Sequence, residues 1–248
     1  PEGLEEIGSS VFSSCKSLKN ISLPSSLKKI EGNVFSGDTM LKTTTYEGVE
    51  YLGNTNNLYL FAYALNEKNI SPTSVTFHTD TKLIGGSLLE GENSVTSITL
   101  NEGLTFIGAG AFRETSITEI TIPSSVKEIA TDAFTGCTKL VTCTINGNSL
   151  ETIGNQAFSG ASALTTINIP SSVKEIGSYA FSKFDEASSL QYNVKDGGRY
   201  LGNSENPYYA FIELEDKSAT TFSLNPNTVL MAGQCLRDAN NIATFSIP

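Results

Sequence analysis

Apolar residues recur along this chain in one fixed order, written most fully from Leu150 to Pro170 as Leu150, Ile153, Phe158, Leu164, Ile167 and Ile169, then proline. Self-similarity at a period of this length marks a fold of stacked repeats. The first unit has Leu4, Ile7, Phe12, Leu18, Ile21 and Leu23, and the second begins Leu27, Ile30, Phe35 and Leu41. Further units start at Ile84, Leu104, Val126, Leu150, Val173 and Met231, which makes about eight. The joins Leu-Pro-Ser-Ser-Leu-Lys-Lys-Ile at 23–30 and Ile-Pro-Ser-Ser-Val-Lys-Glu-Ile at 122–129 and 169–176 are close to verbatim.

Within a unit, Leu-x-x-Ile-x-Ile-Pro alternates apolar and polar residues, which predicts a short strand with its Ile side chains inward. Stacked units then form one parallel sheet, and proline ends each strand by removing a ladder donor. Gly-x-x-Ala-Phe, as at Gly154 to Phe158, is too short for an independent helix. It is expected to make one helical turn on the opposite side, with Phe filling the core.

The outward strand positions include Thr99, Thr121, Thr144 and Asn168, preceded by Ser97, Glu119, Thr142 and Thr166. Such a small, hydroxyl-rich face suits a solvated sheet, and equally a flat landing surface for an extended ligand. Another column reads Glu5, Lys28, then Lys127, Glu151, Lys174, so opposite charges meet on adjacent rungs and favour register. A third reads Glu6, Lys29, Glu128, Thr152 and Glu175 but becomes Leu83 and Leu230 after the two interruptions of the array. Each insertion is therefore expected to fold back over its leucine.

The insertions, assigned to residues 46–80 and 195–227, match at an offset of 149: Tyr-Leu-Gly-Asn at 51–54 returns at 200–203. Aromatic and β-branched residues flank a Gly/Asn/Pro cluster in each, which predicts a hairpin. Eight of the nine tyrosines lie in or beside them: Tyr46, Tyr51, Tyr59, Tyr63, Tyr192, Tyr200, Tyr208 and Tyr209. Tyrosines on protruding hairpins suit recognition; the alternative is that they pack the hairpin onto the solenoid. Tyr59, Tyr63, Tyr200, Tyr208 and Tyr209 are the candidate contacts.

At these repeats the chain resembles the BspA-like, or Treponema-type, leucine-rich repeats, with the running pattern L-x-x-I-x-x-x-x-F-x-x-x-x-x-L-x-x-I-x-I-P. The fold expected is an α/β leucine-rich-repeat solenoid over residues 1–248, with one parallel sheet, short helical turns and two inserted hairpins. The resemblance implies a bacterial or protozoan cell-surface or secreted protein that adheres to host extracellular-matrix proteins, such as fibronectin or fibrinogen, or to other microbes. It carries over no binding residue, because the shared motif is core.

A net charge of −10 disfavours a phosphate backbone or anionic lipid as partner. No apolar run is long enough to span a membrane and no basic-then-apolar leader is present. Pro1 and Pro248 share the phase of Pro24, Pro123 and Pro170, so the chain reads as a segment of a longer array, expected to be a monomer. Cys15, Cys137, Cys143 and Cys235 lack zinc spacing and read as small buried hydrophobes. His78 is the sole histidine and Asn225 takes its place in the second insertion, so no metal, cofactor or catalytic relay is expected. Glu213 and Glu215 share a strand face, with no apolar cleft predicted to tune either. A glycan-binding module using the insertion tyrosines, and a passive spacer, are the alternatives to a protein-binding adhesin.

Overall fold

The computed structural model describes residues 2–38, 40–66, 72–182 and 189–248. The chain winds into a β-solenoid of about ten turns, and no helix occurs among the described residues. The central turns each supply two short strands, which gives parallel ladders along two sides of the solenoid where the sequence predicts one sheet. The residues around the first Ile form the first ladder: Leu83–Ile84, Phe106–Ile107, Glu128–Ile129, Thr152–Ile153 and Glu175–Ile176 pair in register. The Ile-x-Ile segments form the second: Glu119–Ile122, Thr142–Ile145 and Thr166–Ile167 pair, as do Ser74–Thr76 and Ser97–Thr99.

The expected helical turns are absent for a reason visible in the backbone. Within 130–137, Asp132 and Gly136 have φ of 59° and 70°, a left-handed geometry that breaks any helical run. The same two positions are left-handed in neighbouring turns, as at Gln156 and Gly160. The amides so turned bond the next rung instead: Asp132, Phe134 and Gly136 donate to the carbonyls of Asn155, Ala157 and Ser159. The Phe of this segment does fill the core. Phe112, Phe134, Phe158 and Phe181 stack at successive centroid distances of 5.3, 5.1 and 5.7 Å. Each such burial contributes roughly 1.5–3 kcal/mol.

Two of the ten turns lie inside the insertions, which is why the sequence pattern yields eight. Phe61–Leu65 pairs parallel to Leu83–Ile84, with Ala62 opposite Ile84, and Val75 then pairs with Ile98. In the second insertion Phe211 stands opposite Met231. The antiparallel part of the first insertion comprises Thr44–Tyr46, Val49–Leu52 and Phe61–Leu65, while Ser74–Thr76 already belongs to the solenoid. Its counterpart comprises Asn193–Lys195, Gly198–Leu201 and Ala210–Leu214. The first pair of strands in each is closed by a two-residue turn with both φ positive, Glu47-Gly48 and Asp196-Gly197.

These three-stranded sheets are partitions, not protrusions. Val49, Tyr51 and Ala62 pack into the central core, whereas Leu52, Leu60 and Phe61 pack with Ile7, Leu27, Ile30 and Phe35 of the first two turns. In the second insertion Leu201, Tyr209 and Ala210 face the central core, and Tyr200, Phe211 and Leu214 face the last turn. Leu83 is fully covered, as expected of the fold-back, while Leu230 is only half-buried. The cover over Leu83 includes the first two turns themselves, which dock against Phe106 and Ala130 on the outside of the central ladder.

The charge columns pair as expected: Lys28 Nζ lies 2.6 Å from Glu5 and Lys174 Nζ 2.7 Å from Glu151. Lys29 reaches farther, donating to Glu128 Oε1 at 2.8 Å and so tying the first block to the central ladder. Burial opposes its charge, but the bond to Glu128 and the fields of Glu128, Glu31 and Glu6 outweigh that and raise its pKa. A lysine whose folded pKa exceeds its unfolded value of about 10.4 contributes stability below that pH and loses it as pH rises through the folded value. The stability difference between the wild type and Lys29→Met, from urea unfolding, should therefore be flat from about pH 6, where the partner carboxylates are ionised, to about pH 10 and shrink above it. A difference that stays constant through the alkaline range contradicts this role for the ammonium.

Candidate functional site

The second ladder presents the most regular open surface. Ser74 and Thr76, Ser97 and Thr99, Glu119 and Thr121, and Thr142 and Thr144 are all exposed, and Thr166 and Asn168 continue the rows. Alternation puts Val75, Ile98, Ile120, Cys143 and Ile167 beneath them in the core. Adjacent paired strands lie about 4.8 Å apart, so the outward residues form two columns within each of two sheets, one of Ser74–Thr76 and Ser97–Thr99 and one of Glu119–Ile122, Thr142–Ile145 and Thr166–Ile167. Glu119 is the one charged residue among these outward positions.

The insertion tyrosines are placed differently. Tyr200 and Tyr209 are 0% and 6% exposed, so no ligand reaches their rings. Tyr209 donates to the carbonyls of Ser171 and Val173 at 2.8 Å each, locking the insertion to the preceding turn. The hydroxyls of Tyr51 and Tyr200 accept the His78 and Asn225 amides at 3.2 and 3.3 Å. Tyr63 and Tyr208 are half-buried; Tyr63 sets its ring edge-on to Phe35 at 5.6 Å. Tyr59 is half-buried and stacks on His78 with centroids 3.6 Å apart, while the exposed Tyr46 meets both edge-on. His78 Nδ1 accepts the Asp80 amide at 3.1 Å. The lone histidine is thus a backbone acceptor within an aromatic cluster.

The Gly-Asn loops, predicted as hairpin tips, are clamps. Asn54 accepts the amides of Asn56 and Asn57 through Oδ1 and donates to the Leu23 carbonyl at 2.7 Å. Asn57 donates to the Asp80 carbonyl at 2.8 Å. Asn203 and Asn206 repeat this, reaching Ile169 and Asn227. A Cβ on Gly53 or Gly202 would collide with the loop carbonyl of Asn57 or Asn206. One asparagine therefore grips the turn before and the other the turn after.

Cys137 and Cys143 are buried, which pushes their thiols up to about 11 and about 12, whereas Cys235 is half-buried and Cys15 exposed, against the expectation of burial. No group of three His, Cys, Asp or Glu residues suited to a metal occurs among the described residues. No helix among them is long and apolar enough to cross a membrane. Glu213 is bonded to Arg199 at 2.9 Å. That pair lines a second feature, a cleft of about 520 Å³ between the Glu175–Ile176 and Leu230–Met231 turns, together with Tyr179, Tyr192, Lys217 and Arg237. Sequence reasoning missed it. The available signal was a charge reversal between the two insertions, Glu50 against Arg199.

Paired parallel ladders, an internal stack of Phe and a period set by Leu and Ile define a leucine-rich-repeat β-solenoid. The chain belongs to the BspA-type leucine-rich repeat family, whose model matches six copies over residues 1–71 and 59–190. No protein of curated function matches it. Among solved structures, the pneumococcal vaccine antigen PcpA is similar with a TM-score of 0.55 and 21% identity, over 100% of this chain and 66% of that one. A leucine-rich repeat protein of Bacteroides ovatus gives 0.46 and 19%, and a leucine-rich cell surface protein of Faecalibacterium prausnitzii 0.46 and 22%. In both, the match covers 98% of this chain and 64% of the other.

Tyr209→Ala should cost about 3–5 kcal/mol in urea unfolding, the cost of emptying a buried aromatic site. Tyr46→Ala, which removes edge-on contacts with Tyr59 and His78 at a partly exposed position, should cost only about 1 kcal/mol. Equal and small effects would mean that the insertion is not anchored through Tyr209.

Proposed function

We propose that this segment is a non-enzymatic binding module of a cell-surface or secreted protein, and that its partner is another protein. The observation that carries the reading is a hydroxyl-rich face of exposed strand residues, Ser97 and Thr99 in register with Ser74 and Thr76 in one sheet and Thr121 in register with Thr144 in the next. A solenoid side surface of this kind suits an extended partner. Its hydroxyls donate and accept hydrogen bonds without the desolvation cost that charged side chains carry. The BspA-type family, and the likeness to a pneumococcal vaccine antigen, support a surface location.

Adhesion to host extracellular-matrix proteins, or to proteins of other microbes, is the specific form we propose. A glycan reading built on insertion tyrosines loses Tyr200 and Tyr209, which are buried. The test is an array of matrix proteins and polysaccharides probed with the purified segment at physiological and high salt. Binding to a matrix protein is expected, with Thr99→Lys, Thr121→Lys and Thr144→Lys combined weakening it at least about tenfold, since the three bulky cations interrupt the hydroxyl-rich face. The three positions are exposed, so the melting temperature should barely move. Binding to polysaccharide alone, or to matrix protein with no effect of the triple variant, overturns the reading.

A further inference from the structure

At the second insertion an ordinary turn is incomplete. Phe211 occupies the Ile column, but the chain then runs on through Ala210–Leu214 as a strand of the partition, so no Phe-bearing turn segment follows it. Among the described residues the flanking turns share one backbone hydrogen bond, the Gly233 amide donating to the Ile176 carbonyl at 2.8 Å, and a Cβ on Gly233 would lie 2.6 Å from the Ser178 nitrogen. Beyond that point the missing segment leaves the cleft of about 520 Å³. Its volume is in the range of ligand pockets.

The first insertion offers an internal comparison. Tyr63 stands there in the place of Ile212, and it fills the gap, its hydroxyl donating to the Phe35 carbonyl at 3.3 Å and its ring against Phe35. Glu50 stands in the place of Arg199 and Glu90 in the place of Arg237. The second copy thus replaces a plug with a shorter side chain and two carboxylates with two guanidinium groups. In a chain of net charge −10, Arg199, Lys217 and Arg237 line one cleft in which, among the described residues, the carboxylates are Glu213 and Asp238.

The cations have different tasks. Arg199 is held by Glu213 at 2.9 Å and lies over the Tyr192 ring at 5.8 Å, so it is a fixed wall. Arg237 lies over Tyr179 at 5.0 Å, and its contact with Asp238 is 3.7 Å long and exposed on both sides. A guanidinium held over an aromatic ring still has N–H donors for a carboxylate, which its fork can grip bidentately. The exposed Asp238 contact is weak enough to yield. Ile176, Phe181, Ile212 and Ala232 supply apolar lining beside it.

We infer that this cleft captures an acidic segment of a protein partner, its Glu or Asp carboxylate on Arg237 and a neighbouring apolar side chain against the half-buried Ile212. The inference rests on the protein-binding reading and names the chemistry of the partner.

Fluorescein-labelled short peptides centred on Leu-Glu-Phe, their Leu-Gln-Phe counterparts and a glucuronate oligosaccharide serve as probes of the whole segment. The Glu peptide should bind at least about tenfold tighter than the Gln peptide, and Arg237→Glu should remove that preference. Arg237→Lys, which keeps the charge but not the fork, should recover only part of it. In a Cys15→Ser background, the bound peptide should slow thiol labelling of Cys235, which lines the cleft. No discrimination between Glu and Gln, preference for the oligosaccharide, or indifference to Arg237→Glu overturns the inference. A matrix protein that binds equally well to Arg237→Glu but not to the threonine variant overturns the cleft alone and leaves the protein-binding reading standing.

Discussion

Everything in this molecule depends on the backbone hydrogen bond from one turn to the next. On the first ladder the bonds point back, Gly154 donating to the Ile129 carbonyl; on the Phe-bearing side they point forward, Phe134 donating to Ala157. Each turn is therefore held by both neighbours and holds both. Local turns such as Thr135 to Asp132 and Cys137 to Phe134 satisfy part of each rung's backbone, and the remaining groups find their partners in the stack. The approach this requires is close at several rungs: a Cβ on Gly108, Gly154 or Gly177 would lie 2.6, 2.5 or 2.4 Å from the neighbouring backbone, which explains glycine after Ile there.

The insertions keep this arrangement while redirecting it. Each gives one strand to the first ladder and two to a sheet whose opposite faces belong to different cores. In that sheet Tyr51 and Leu52, adjacent in sequence, enter opposite clusters, as alternation along a strand demands. The asparagine clamps, the Tyr209 hydroxyl and the Lys29–Glu128 pair then fix the blocks against one another. The same construction leaves a gap on one side of the stack. Tyr63 closes it in the first copy; in the second, Ile212 leaves it open beneath Arg237.

The repeat, the solenoid, the inward Ile and Phe, and the charge pairs at Glu5, Lys28, Glu151 and Lys174 were legible in the sequence because each rests on a column that survives from turn to turn. The hidden turns were not, since Ala62 and Phe211 occupy an Ile column without resembling Ile, and the loops around them differ in length. The left-handed pairs had a trace in the glycines at 37, 91, 136 and 160, yet Glu114 and Asp238 hold the same geometry without glycine. Tyrosine clustering was legible as a pattern but ambiguous as chemistry. The same residue type serves as a buried lock at Tyr209 and as an exposed ring at Tyr46, and only the fold separates them.

Hydrogen exchange, followed by mass spectrometry, tests the central claim that the insertions are internal partitions. Peptides covering Val49–Leu52, Phe61–Leu65, Gly198–Leu201 and Ala210–Leu214 should be protected to the same degree as those covering Phe106–Ile107 and Glu128–Ile129, because all open only when the stack opens. Exchange of the insertion strands within the fastest class, while the central ladder stays protected, would show hairpins hanging free of the solenoid and contradict the account.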